Sequence, residues 1–170
     1  MNRSLSTLMA LSTAGCAYAY LPETSVQEAE PSTIYEGIAI SGPVDYTNNI
    51  IKALDIVYQK DTQNWQIVKD NLVMIRFSPP SGMHVRTGIY DTDDNKTTSD
   101  RYQPLEWVAG EIVHDAWHRE YFRRREAYNG MEGERKCMER QNEFFQKIGY
   151  PLLDVPLVLS SAYWDARRNW

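Results

Sequence analysis

The constraint that most narrows the fold lies between residues 105 and 149, where two amphipathic segments are separated by a single break. Leu105, Val108, Ala109, Ile112, Val113 and Ala116 recur at three- and four-residue intervals, which gives the first segment a wide apolar face, and Pro104 suits its opening turn. Asn129-Gly130 interrupts the pattern. From about residue 132, Cys137, Gln141, Phe144, Phe145 and Ile148 form a second stripe that Gly149 ends. Two such helices joined by a short connection fold back as an antiparallel hairpin, because neither can bury its stripe alone. The return brings Glu132, Glu134 and Glu139 towards the first helix.

That first helix also carries the chemistry. Within Ile112-Val113-His114-Asp115-Ala116-Trp117-His118, two of the chain's three histidines lie four apart, so both imidazoles project from one face about one turn apart. Zn²⁺ takes neutral imidazole readily, and a helical pair fixes two of its ligand positions with little freedom left to lose. A further ligand has to come from another element, and the three acids on the returning helix are the candidates.

The rest of the chain bounds the setting. With 170 residues, 42% of them hydrophobic, it can bury one sizeable core and hardly two, so residues 44–170 are expected to form a single domain. Residues 1–19 read as a signal peptide: Arg3 is a minimal basic start, residues 5–11 an apolar run, and Ala17-Tyr18-Ala19 a small-x-small cleavage site. A secreted or periplasmic protein follows. Thr13-Ala14-Gly15-Cys16 also approximates a bacterial lipobox, and the alternative is a lipoprotein anchored to the membrane through Cys16. Cleavage after Ala19 leaves Cys137 as the sole cysteine, which excludes an intramolecular disulfide and suits a small buried side chain.

Residues 20–43, with Pro22, Pro31 and Pro43, read as an irregular arm. Ile50, Ile51, Leu54, Val57 and Tyr58 predict a helix over 45–59 with Asp45 as its N-cap, and a short helical turn follows at 65–68. Branched and aromatic residues predict a strand over 72–77, a turn at 78–82, and a returning hairpin strand over 83–90. Residues 91–100 form a polar loop without the acid spacing of a calcium site, and the apolar tail from 151 to 170 wraps the core. The fold class is therefore α+β: a helix and a small antiparallel sheet packed on a two-helix metal-binding unit.

A net charge of −5 and the lack of a basic face exclude a nucleic-acid partner; the run from 119 to 125 reads as a solvated helix face or C-terminal turn. No apolar run approaches the roughly 18 residues of a membrane span. Glycine-rich phosphate loops, Gly-x-Ser-x-Gly elbows and Cys-x-x-Cys pairs are all missing from the sequence.

His114-Asp115-Ala116-Trp117-His118, followed by Glu134-Arg135-Lys136-Cys137, resembles the zincin-type metallopeptidases, whose pattern is His-Glu-x-x-His plus a downstream ligand. In the gluzincins that ligand is a Glu on the following helix. The resemblance covers residues 72–149 and implies a zincin-like domain with His114, His118 and Glu134 as zinc ligands. Glu132 is the alternative third ligand and Glu139 a more distant one. It further implies that an edge strand before the motif helix binds extended substrate, so the partner would be a peptide or protein. Asp115 stands where the family has its Glu general base, and it is the candidate catalytic residue. Asp is shorter by one methylene, roughly 1.5 Å of reach, which makes a catalytically silent metal-binding or structural module the alternative. Glu111, His84, Tyr121, Tyr128 and Tyr163 are supporting candidates, as ligand orienters or oxyanion donors. Imidazole plus carboxylate also fits non-haem iron, but too few strands are predicted here for the β-barrels that usually house such sites.

Overall fold

The computed structural model describes residues 33–92 and 103–155. The readings for residues 1–19, Tyr163 and most of the polar loop and tail lie outside these. The described residues form four helices and a five-stranded mixed sheet, an α+β arrangement. In chain order they are β1 (Thr33–Tyr35), β2 (Ile38–Ser41), α1 (Val44–Lys60), α2 (Thr62–Asn71), β3 (Met74–Phe77), β4 (Gly82–His84), β5 (Ile89–Thr92), α3 (Leu105–Arg123) and α4 (Gly130–Ile148).

The sheet order is β1-β2-β3-β5-β4. β2, β3 and β5 run parallel to one another, whereas the edge strands β1 and β4 are antiparallel to β2 and β5 respectively. The expected small antiparallel sheet is thus corrected to a mixed one, and the predicted hairpin partner of β3 is not the next strand. The span 83–90 breaks in two because His84 to Gly88 is a turn: the Thr87 and Gly88 amides donate to the His84 carbonyl at 3.0 and 2.9 Å. Gly88 takes φ +81°, a conformation only glycine adopts cheaply. After that turn β5 inserts between β3 and β4 and leaves β4 at the edge. Residues 33–41, read as part of an irregular arm, form β1 and β2; the pattern Thr33-Ile34-Tyr35 and Ile38-Ala39-Ile40 was too short to stand out beside three prolines.

Alternation puts Ile38, Ile40, Ile75 and Tyr90 on one face of the sheet, where all are buried against the helices. α3 is the central rod, in contact with α1, α2, α4 and β4. Val108, Ala109, Ile112, Val113, Ala116, Trp117 and Tyr121 are all buried, so its interior positions cannot shift without disturbing the core. α4 lies antiparallel on it, as the stripe predicted: Trp107 stacks on Phe145 near one end and Lys136 sits over the Tyr121 ring near the other. Gly110 permits the close approach, because a Cβ there would stand 2.2 Å from the Phe145 ring.

α1 begins one residue earlier than expected, with Pro43 at the N-cap, so Asp45 lies in the first turn, where its charge meets the helix dipole. Asp61 ends α1 and caps α2, accepting from the Asn64 amide at 3.2 Å. Its carboxylate also receives Lys147 at 2.8 Å, and Asn64 accepts from the Trp117 indole at 2.9 Å, so one buried junction ties α1, α2, α3 and α4. The basic run is not merely solvated: Arg119 and Arg123 donate to the Asn71 and Asp70 carbonyls at the end of α2.

Candidate metal centre

α3 presents His114 and His118 on one face, and the first turns of α4 return Glu134 to them. The Nε2 atoms of the two rings are 2.9 Å apart; Glu134 lies 3.2 Å from His114 Nε2 and 3.6 Å from His118 Nε2. The side chains are 15%, 10% and 17% exposed, deep enough to be held and open enough to be reached. Among the described residues this is the group of His, Cys, Asp and Glu side chains whose donor atoms converge as metal ligands do, and it can hold a metal ion.

The ring orientation supports that use. His118 Nδ1 is 2.5 Å from the Tyr128 carbonyl, an oxygen that only accepts, so Nδ1 carries a proton and Nε2, which faces His114 and Glu134, is the atom at which a metal ion would take the place of a second proton. A backbone carbonyl behind a histidine is the usual support of a metal-bound imidazole. Tyr128 is positioned by a contact the sequence did not reveal: Gly133, in the first turn of α4, lies against the Tyr128 backbone, and a Cβ there would be 2.4 Å from its carbonyl carbon. His114 Nδ1 is buried and has no hydrogen-bond partner among the described residues. Two neutral rings with lone pairs converging at 2.9 Å repel unless a proton or a cation lies between them.

The donor spacing fits Zn²⁺. Tetrahedral zinc with bonds of about 2.0–2.1 Å sets donor atoms roughly 3.3–3.4 Å apart. The two Glu134 distances belong to different carboxylate oxygens, Oε2 towards His114 and Oε1 towards His118, and with one donor atom per residue the three lie within 4.8 Å of one another. Burial alone would raise the Glu134 carboxyl, but hydrogen bonds from both rings outweigh it and hold it well below the usual carboxylate range. Burial would likewise lower His118, and interactions with the Cys137 sulfur and Glu134 instead raise it well above the ordinary imidazole value. Burial pushes the Cys137 thiol up, which agrees with the reading of an inert buried residue.

The alternatives for the third ligand, Glu132 and Glu139, are not brought together with the two rings. Glu132 and Glu139 are both exposed and engaged with Arg135, Glu132 at 2.7 Å, on the side of α4 away from the rings. His84 does not join the group: it lies on the other face of the sheet, bonded to Asp91 at 2.7 Å. Tyr121 is buried and its hydroxyl accepts from Arg140. Asp115, Glu111 and Tyr128, together with the triad, line a cavity of about 510 Å³. Its other walls are β4 with its flanks, through Ser81, Gly82, Met83 and Val85, and an end formed by Trp107, Met138, Gln141 and Leu153. Gln141 is a polar residue on an otherwise apolar stripe, seven positions after Glu134, and that placement is its signal in the sequence.

No family model, curated protein or solved structure matches the chain. The site is therefore read from its own residues.

Proposed function

We propose that this protein is a zinc-dependent peptidase of zincin-like, gluzincin-like design. The observation that carries the reading is the convergence of His114, His118 and Glu134, with His118 pinned through Nδ1, inside a cavity walled by an edge strand. His114, His118 and Glu134 would hold the ion, which when bound supplies Lewis acidity, making a water nucleophile available at neutral pH and polarising a carbonyl. β4 is paired with β5 on one side and borders the cavity with its flanks, so an extended peptide can add alongside it. Asp115, one residue after the first histidine, lines that cavity and is the group placed to accept the proton of the attacking water.

Export belongs to the same proposal, resting on the leader-like residues 1–19, with lipid attachment at Cys16 as its variant. No described helix is long and apolar enough to cross a membrane. The second reading, a metal-holding module without catalysis, is favoured by one residue: the shorter Asp at the base position, since a misplacement near 1 Å costs around a hundredfold in rate.

The deciding experiment couples metal analysis to peptide hydrolysis. Purified protein is expected to carry about one zinc per chain. Asp115→Ala should keep the metal and lose about 10²–10⁴-fold in kcat/KM, the usual weight of a general base, while Asp115→Glu keeps or gains activity. A zinc-loaded wild type with no hydrolysis beyond that of Asp115→Ala would establish the silent module instead.

A further inference from the structure

We infer that the end of the cavity remote from the metal ligands is a subsite that reads an amide group of the substrate, through the Gln141 carboxamide and the Trp107 indole N–H. This deepens the peptidase reading and rests on it for the identity of the substrate as a peptide.

Gln141 is 4% exposed and lines the cavity, yet no hydrogen bond is found for its side chain among the described residues. The Trp107 Nε1 atom is buried, borders the same cavity and likewise has no partner among them. A buried amide or indole N–H left unpaired is costly, and proteins retain such groups mostly where something else completes them. Met138 and Leu153 share the lining at this end, and Glu111, one turn from Trp107 on α3, borders the same cavity. An apolar cavity with a few convergent polar groups is the ordinary form of a binding site.

The two groups are complementary to one chemistry. An indole N–H only donates, whereas a carboxamide offers both a donor and an acceptor. Together they match a group with a carbonyl to accept and an N–H to give, which is an amide. Their position follows from helix geometry. Gln141 is seven residues beyond Glu134 on α4, and Trp107 is seven before His114 on α3, so in antiparallel helices both lie about 10.5 Å along from the ligands, at the same end. An extended peptide advances about 3.3 Å per residue. The amide read here is thus about three residues from the bond held at the metal, and it belongs either to an Asn or Gln side chain or to the backbone.

The test uses the full chain, both zinc-loaded and metal-free, and titration calorimetry with blocked seven-residue peptides. One set carries a single Asn walked along an alanine background, a second carries Leu in its place, and a third replaces successive backbone amides by esters. One position should bind about 10- to 100-fold more weakly when its amide is lost, the penalty for leaving buried polar groups unpaired. The Leu set shows this if a side chain is read, the ester set if the backbone is. Gln141→Leu, which is close in shape, should remove the discrimination and leave zinc uptake unchanged. Trp107→Phe keeps the ring and should reduce it, and it carries the test if Gln141→Leu does not fold. Equal binding of all three sets, absence of binding, or discrimination that survives in both variants overturns the subsite. Failure to take up zinc alongside intact amide discrimination would overturn the metallopeptidase reading and leave the subsite standing.

Discussion

The described residues hold two histidine–carboxylate clusters, and they differ in what the carboxylate has left to offer. In one, Glu134 faces two imidazoles, with all three side chains between 10% and 17% exposed. In the other, Asp91 receives Arg76 through two hydrogen bonds, at 2.8 and 3.0 Å, and His84 through a third, and His84 is 56% exposed. Asp91 already has a permanent cation, whereas Glu134 has only rings whose charge depends on a proton. The first arrangement has capacity for a divalent ion and the second does not. Residue type is the same in both; convergence and the prior commitment of the charge decide the difference.

The widest separation between the clusters is expected in metal content. His114→Ala, His118→Ala and Glu134→Ala should each abolish stoichiometric zinc, a loss greater than the 10- to 100-fold that supporting residues produce. His84→Ala should retain it in full. Elemental analysis after gel filtration reads both. Zinc in large excess over its Kd should also raise the melting temperature of the wild type and of His84→Ala, by linkage, and leave the ligand variants unmoved. Zinc retained by His118→Ala, or lost by His84→Ala, would break the comparison.

A smaller effect is expected one step behind the ligands. Gly133→Ala places a methyl 2.4 Å from the Tyr128 carbonyl carbon, so the carbonyl must move away from His118 Nδ1 or α4 must shift with Glu134 on it. Either change should weaken zinc affinity by about 10- to 100-fold, measured by competition with a chromogenic chelator. Gly130→Ala is the control, since a Cβ there meets nothing within 4 Å. Gly130 has φ +64°, so that control should show backbone strain as lost stability but little change in zinc affinity.

These two tests also mark what was legible beforehand. α1, α3, α4 and the His pair were readable because all depend on the same 3.6-residue period, and the antiparallel return of α4 follows from its stripe; α2, expected only as a turn at 65–68, runs over Thr62–Asn71. Glu134 could not be chosen over Glu132 and Glu139 by spacing alone. In the structure Glu134 converges on the rings, while Glu132 and Glu139 are exposed and paired with Arg135. The sheet was less readable: β4 and β5 are three and four residues long, and their order depends on long-range pairing that a local alternation pattern does not encode. The Tyr128 carbonyl was invisible for a different reason, since a backbone group has no letter in the sequence.

The smallest effect belongs to the surface cluster and concerns stability, with no change in zinc. Burial would raise the Asp91 carboxyl, but the hydrogen bonds from Arg76 and His84 outweigh it and hold it below the ordinary carboxylate range. A carboxyl with a depressed value in the folded state binds fewer protons there than in the unfolded chain. Its contribution is therefore complete above the unfolded value, near 3.9, and is lost as the pH falls through the lower folded one. Because Arg76 is 30% exposed and solvent screens the pair, Asp91→Asn should cost only about 1–2 kcal/mol at pH 7. In urea titrations the gap between wild type and Asp91→Asn should narrow steadily below about pH 4. Asp61 and Glu120 are also held low by their partners and titrate in the same region, so wild type and variant both weaken there; only the difference between them reports Asp91. A gap that stays constant down to acid unfolding would mean that Asp91 acts through packing alone, and the contrast with Glu134 would then lie in burial and not in charge.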